Sequence, residues 1–185
     1  CIRDSFTAVS LIPTSGCQSI HDKKEVTVEI LHTNDMHSHF AGSKNGSACI
    51  TENDCEGGYG RVAEYVKEVK ERNPNAIFLD AGDQFQGSLL YVNYHSPLVG
   101  KITDKMRYDF ATFGNHEFDY RSQGLANMLK AAKSSGETLP EIVVCNVDWD
   151  SMEKAGLNDG QKQIQSAFET YGVKDYVCLL YTSPS

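Results

Sequence analysis

Four short apolar runs punctuate the chain, at residues 26–31, 76–79, 110–113 and 142–145, and the stretches between them carry a different period. Runs of four to six residues rich in Val, Ile and Phe predict strands. Between the first two, Val62, Tyr65, Val66 and Val69 recur at helical spacing, with Glu64, Lys67, Lys70 and Glu71 opposite. That pattern predicts an amphipathic helix ending before Asn73-Pro74, because the residue before a proline is pushed out of the helical region. Ser96-Pro97 supplies a cap and a first-turn proline for a second helix reaching about Lys105. Leu125, Met128, Leu129 and Ala132 mark the buried stripe of a third. Residues 148–171 read as mixed helix and loop, and 176–181 as a further strand. The order β-α-β-α-β-α-β predicts a layered α/β domain over residues 25–185, with its strands covered on both faces. Residues 1–24 read as a tail. Within it, residues 6–13 are too broken by Thr, Ser and Pro for a full export signal and fit at most the remnant of one.

Three of the apolar runs lead directly into polar clusters. Residues 26–31 run into His32-Thr33-Asn34-Asp35-Met36-His37, residues 76–79 into Asp80-Ala81-Gly82-Asp83, and residues 110–113 into Gly114-Asn115-His116-Glu117-Phe118-Asp119. Loops beyond the carboxyl ends of strands are where open α/β sheets bind ligands. Asp35 and His37 are spaced D-x-H, so an extended loop sends both side chains off one face. A carboxylate and an imidazole so placed suit a divalent transition metal. Asp83 offers two oxygens able to bridge two ions, and Asn115 an uncharged amide oxygen. Each motif alone is weak, since Gly-Asp and Gly-Asn are common turns. Three in succession at strand ends are hard to explain as turns. Gly57-Gly58-Tyr59-Gly60 reads as a turn leading into a helix rather than a phosphate cradle, and His32, His39 and His95 as surface or supporting groups. Trp149 and Phe168 read as core.

Composition narrows the partners. The 185 residues carry a net charge of −8, which argues against a nucleic-acid backbone as ligand. No apolar run approaches the roughly 20 residues that a membrane span needs. Cys49 and Cys55 bracket a polar loop and suggest a local disulfide, and Asn45-Gly46-Ser47 beside them is a glycosylation acceptor. Together they favour a secreted or cell-surface protein. Cys145 and Cys178, inside apolar runs, are expected as buried free thiols.

The succession of the three loops, including Asp83-Gln84-Phe85-Gln86-Gly87, resembles the 5′-nucleotidase family of calcineurin-like metallophosphoesterases, which includes secreted apyrases. The resemblance runs from about residue 26 to residue 147. It implies a four-layer α/β/β/α metal domain followed by a separate nucleotide-binding domain, so that this chain would be a fragment. It also implies two divalent ions (Zn, Mn, Mg or Ca), with Asp35 and His37 on one, Asp83 bridging, and Asn115 on the other. His116 with Asp119 would form the dyad beside the phosphate. The small disulfide is similar to one in animal members. The implied chemistry is hydrolysis of AMP-, ADP- or ATP-class nucleotides by a hydroxide activated between the two ions.

Elementary chemistry supports such a dyad, because Asp119 would hold His116 protonated as a donor toward charge developing on phosphorus. A third metal ligand at His116 is the alternative role. The departure from the family pattern is that no histidine follows His116, where the family places further metal histidines. Two rival functions stand beside nucleotide hydrolysis. One is a catalytically inactive nucleotide-binding or scavenging homologue, and the other a phosphoesterase acting on cyclic nucleotides or sugar nucleotides.

Overall fold

The computed structural model describes residues 27–44, 47–48, 55–134 and 140–178. Asn45, Cys49 and residues 1–24, expected as a tail, lie outside the described residues, as do the side chains of Ser96 and Ala132. The main sheet has four strands, β1 (Ile30–Thr33), β4 (Ile77–Asp80), β5 (Phe110–Ala111) and β6 (Glu141–Ile142), all parallel and neighbours in that order. A two-stranded antiparallel ribbon, β2 (Ser43–Lys44) and β3 (Ser47–Ala48), occupies the glycine- and serine-rich excursion after β1. Helices α1 (Tyr59–Arg72), α2 (Leu89–Met106) and α3 (Arg121–Ser134) make the crossovers between successive parallel strands. Two more, α4 (Trp149–Ala155) and α5 (Asp159–Tyr171), follow β6. Parallel pairing requires such long connections, so the alternating order of elements becomes the α/β architecture expected from the sequence.

Register places the site. Thr33 pairs with Asp80, and Asp80 with Ala111, so three adjacent strands end at one level. The loops 34–38, 81–88 and 112–119 therefore leave the same edge of the sheet side by side. Asp80 is 3% exposed, and its carboxylate accepts Thr33 Oγ1 at 2.6 Å and the Gly82 amide at 3.0 Å. It thereby ties the end of β1 to the start of the next loop. Burial raises the Asp80 pKa, and the Thr33 hydrogen bond works against that rise.

The core forms in three contiguous groups. Tyr59, Val66, Phe78, Met106 and Tyr108 join α1 to β4 and the end of α2. Phe85, Tyr91 and Val99 pack α2 against the loop after β4. Leu125, Leu129, Ile142, Ile164 and Phe168 pack α3 and α5 over β6. Trp149 meets Phe168 edge-on, which bears out the core reading of both.

Several expectations change. Tyr65, expected on the buried stripe of α1, is 57% exposed, and the buried residues of that helix are Tyr59, Val66 and Val69. In β4 only Phe78 and Asp80 are fully buried, while Ile77 and Leu79 are half-buried, so this strand is not covered equally on both faces. Helix α2 begins seven residues earlier than Ser96 and is broken at His95 (φ 50°, ψ −151°). The expected helix from Ser96-Pro97 is its second half. Residues 176–178 form no strand, and 179–181 lie outside the described residues. Cys145 and Cys178 are free but exposed, not buried. The sheet strand ends at Ile142, Val143 bridges to Lys174, and the chain has left the sheet before Cys145.

Candidate metal centre

Each of the three loops is shaped by residues with positive φ or by glycine. Asp35, His37 and Ser38 adopt φ of 51°, 43° and 53°, so residues 35–38 are a left-handed turn rather than the extended segment expected of D-x-H. The reason lies in the backbone partners. Asp35 N donates to Gly82 O (3.1 Å), His37 N to Asp83 O (3.0 Å) and Ser38 N to Gln84 O (3.0 Å). An extended strand directs alternate amides to opposite sides and could not hand these to a single neighbouring loop. Ser38 is wholly buried and adds its hydroxyl to Gln84 O at 2.8 Å.

The second loop is equally constrained. Gly82 and Asp83 have φ of 94° and 55°, and Gln86 and Gly87 follow at 66° and 96°. A Cβ on Gly82 would run into the backbone of Gly114, and one on Gly114 into the carboxylate of Asp83. The loops after β4 and β5 thus touch backbone to backbone.

One ligand atom from each of His37, Asp83 and His116 lies within 4.8 Å of the others. His37 Nδ1 sits 3.2 Å from Phe85 O, so it serves as the donor there and leaves Nε2 open as a ligand. The His37 and His116 rings meet edge to face with centroids 5.1 Å apart. Asp83 is 8% exposed, and its Oδ1 accepts the His116 amide at 2.9 Å. The carbonyl-oriented imidazole of His37 and the carboxylate of Asp83 suit a divalent transition metal, with the second imidazole beside them. The residues present therefore fit such an ion.

His116 Nδ1 lies 2.7 Å from Asp119 Oδ2, which leaves Nε2 as its remaining nitrogen. That hydrogen bond raises the His116 pKa above its usual range, with the negative charges of Asp119, Asp83 and Glu117 adding to it against some desolvation. Asp35 stands at the border of the group. Its Oδ1 is 3.8 Å from His37 Nε2, and its Oδ2 accepts Asn34 Nδ2 at 2.6 Å. Asn115 occupies the turn before the short 3₁₀ segment His116–Phe118, in the same loop as His116. The sequence-predicted residues are thus drawn to one edge, with His116 inside the tight group and Asp35 beside it. His32, His39 and His95 are exposed. Sequence reasoning passed over Glu117, Ser38 and Asp80. Glu117 had a signal in the density of polar residues around His116, but most of its partners lie more than 30 positions away.

The sequence-family comparison matches calcineurin-like phosphoesterases over residues 28–176. The chain belongs to the calcineurin-like phosphoesterase family. Among its relatives is the human (Homo sapiens) 5′-nucleotidase, 41% identical over 106 residues, covering 56% of this chain and 18% of that protein. An apyrase of Tabanus yao is 36% identical over 131 residues, covering 70% of this chain and 22% of the apyrase. Among solved structures, the 5′-nucleotidase precursor from Thermus thermophilus superposes with a TM-score of 0.53 at 32% identity, covering 65% of this chain and 22% of that one. This phosphoesterase chain therefore spans about a fifth of the length of these relatives. The α/β fold with its parallel sheet is that of the metallophosphoesterase domain in 5′-nucleotidases. No helix among the described residues is long and apolar enough to cross a membrane.

Proposed function

We propose that this phosphoesterase hydrolyses nucleotide phosphate esters or anhydrides of the AMP, ADP and ATP class, with two divalent ions. The observation that carries the reading is the meeting of His37, Asp83 and His116 from three separate loops, with His116 backed by Asp119. The 5′-nucleotidase and apyrase relatives support the substrate class. Asp35, His37, Asp83 and Asn115 would hold the ions, which when bound supply Lewis acidity toward phosphate oxygens and activate water at neutral pH.

The chain's own residues have separate tasks. Asp83 is oriented by the His116 amide, so its carboxylate keeps one direction. His37 is fixed by Phe85 O and presents Nε2. Asp119 keeps a proton on His116 Nδ1 and supports the cationic imidazole. Nε2 of His116 then donates a hydrogen bond to the phosphoryl group as negative charge builds on its oxygens and on the leaving oxygen. Nucleoside recognition is assigned to a separate domain downstream, and residues 1–24 to a tail. Cys49 and Cys55 are proposed to pair, and Asn45 to carry glycan, in a secreted or surface-bound protein. The basis is the polar loop between the cysteines and the glycosylation motif beside it.

Phosphate release from AMP, ADP and ATP, with and without chelator, tests the proposal. Turnover should require divalent metal and fall about 100-fold or more in His116→Ala, within the range of a lost acid-base group. Metal-saturated protein that binds nucleotide without releasing phosphate would favour the scavenging function. Chelator-resistant turnover would exclude the proposed chemistry.

A further inference from the structure

Glu117 is 2% exposed and lies between the metal-centre loops. Its Oε1 accepts the amides of Gln84 (2.8 Å) and Phe85 (3.0 Å), and its Oε2 those of Asp83 (2.9 Å) and Gly114 (2.7 Å). Four N–H donors match the four acceptor directions of an ionised carboxylate, and hydrogen bonds to a charged acceptor are the stronger kind. The opposite side of the same segment is held as well. The carbonyls of Asp83, Gln84 and Phe85 face the amide of His37, the amide and hydroxyl of Ser38, and Nδ1 of His37. Residues 83–85 are thus fixed through their amides by Glu117 and through their carbonyls by the His37–Ser38 turn.

This segment carries Asp83 with φ 55°, a conformation that a non-glycine residue adopts at a cost and holds only when its surroundings impose it. Glu117 supplies that imposition, and its fourth bond carries the same constraint to Gly114, two residues before His116. We propose that Glu117 is a positioning residue. It holds the Asp83 loop and the Gly114–His116 loop in the register that lets His37 and Asp83 bind a divalent ion with His116 beside it. The proposal rests on the metal-centre reading above. A glutamine in its place would turn an NH₂ group toward backbone N–H donors. An aspartate would keep the charge but fall one methylene short of spanning both loops.

The test compares the full chain with Glu117→Gln and Glu117→Asp by amide hydrogen exchange without metal and by calorimetric titration with Mn²⁺. Glu117→Gln should lose protection at Asp83, Gln84, Phe85 and Gly114 while Phe78, Leu79 and Phe110 keep theirs. Its Mn²⁺ affinity should fall about 10- to 100-fold, the range for groups that orient metal ligands, and Glu117→Asp should fall between. Where Glu117→Gln does not fold, Glu117→Asp decides by the same two readouts. Unchanged Mn²⁺ affinity in the folded variants, or unchanged protection at the four amides, would overturn the role. Protection lost throughout the sheet would also overturn it, by making Glu117 a general support of the fold. Wild-type protein that protects the four amides yet binds no Mn²⁺ would overturn the metal-centre reading itself, and the positioning role with it.

Discussion

Gly82 and Gly114 bring two backbones together more closely than any side chain allows. Gly82 sits at φ 94°, and a methyl group there would strike the Gly114 backbone. Gly82→Ala should therefore destabilise the protein by about 1–2 kcal/mol from backbone conformation alone, with the clash added. Urea unfolding followed by circular dichroism measures it, and an unchanged midpoint would show that the two loops can separate freely. At this scale the sequence told only part. Asp83, His37, His116 and Asp119 were legible because carboxylates and imidazoles clustered after apolar runs. Glu117 was not, because its partners are backbone amides at positions 83–85 and 114, and amides have no signature in a sequence. The left-handed turn at Asp35–Ser38 was hidden for a similar reason, since it is dictated by carbonyls of the neighbouring loop.

Among the elements, strands and helices with a clean period were legible and those with exposed apolar residues were not. The first half of α2 places Leu89, Val92 and Tyr94 at 80%, 57% and 62% exposure, so no apolar stripe opposed to a polar one marks it as a helix. Helices α4 and α5 were read only as a mixture, although both carry cap residues. Asn158 and Gln161 form a reciprocal capping box, and Asp148 accepts the Ser151 amide at 3.0 Å and its hydroxyl at 2.6 Å. Those Ser151 hydrogen bonds lower the Asp148 pKa. A depressed folded pKa means the contribution of this cap is present above the unfolded value, about 3.9, and is lost as pH falls through the folded value. Carboxyl chemical shifts should place the Asp148 midpoint below that of a free aspartate, and Ser151→Ala should move it upward. A midpoint at or above the free value would contradict the cap geometry.

For the whole molecule, the alternation of elements was enough to predict a layered α/β domain, and three parallel strands ending at one level draw the chemical loops together. What stayed out of reach was the uneven cover of the sheet. Ile30 in the edge strand is 54% exposed, a consequence of packing that strand composition does not encode. The compartment proposal is checked by non-reducing peptide mapping, which should recover Cys49 linked to Cys55. Both thiols alkylated in exported protein would count against it. The central claim is that loops from three strands bring His37 and Asp83 together as a divalent-ion centre with His116 beside it. An anomalous difference map from crystals of the protein soaked in Mn²⁺ tests it most directly. The account predicts a peak in contact with His37 and Asp83 at the carboxyl edge of the sheet. A map with no peak there at saturating Mn²⁺, or with peaks only at surface carboxylates elsewhere, would contradict it.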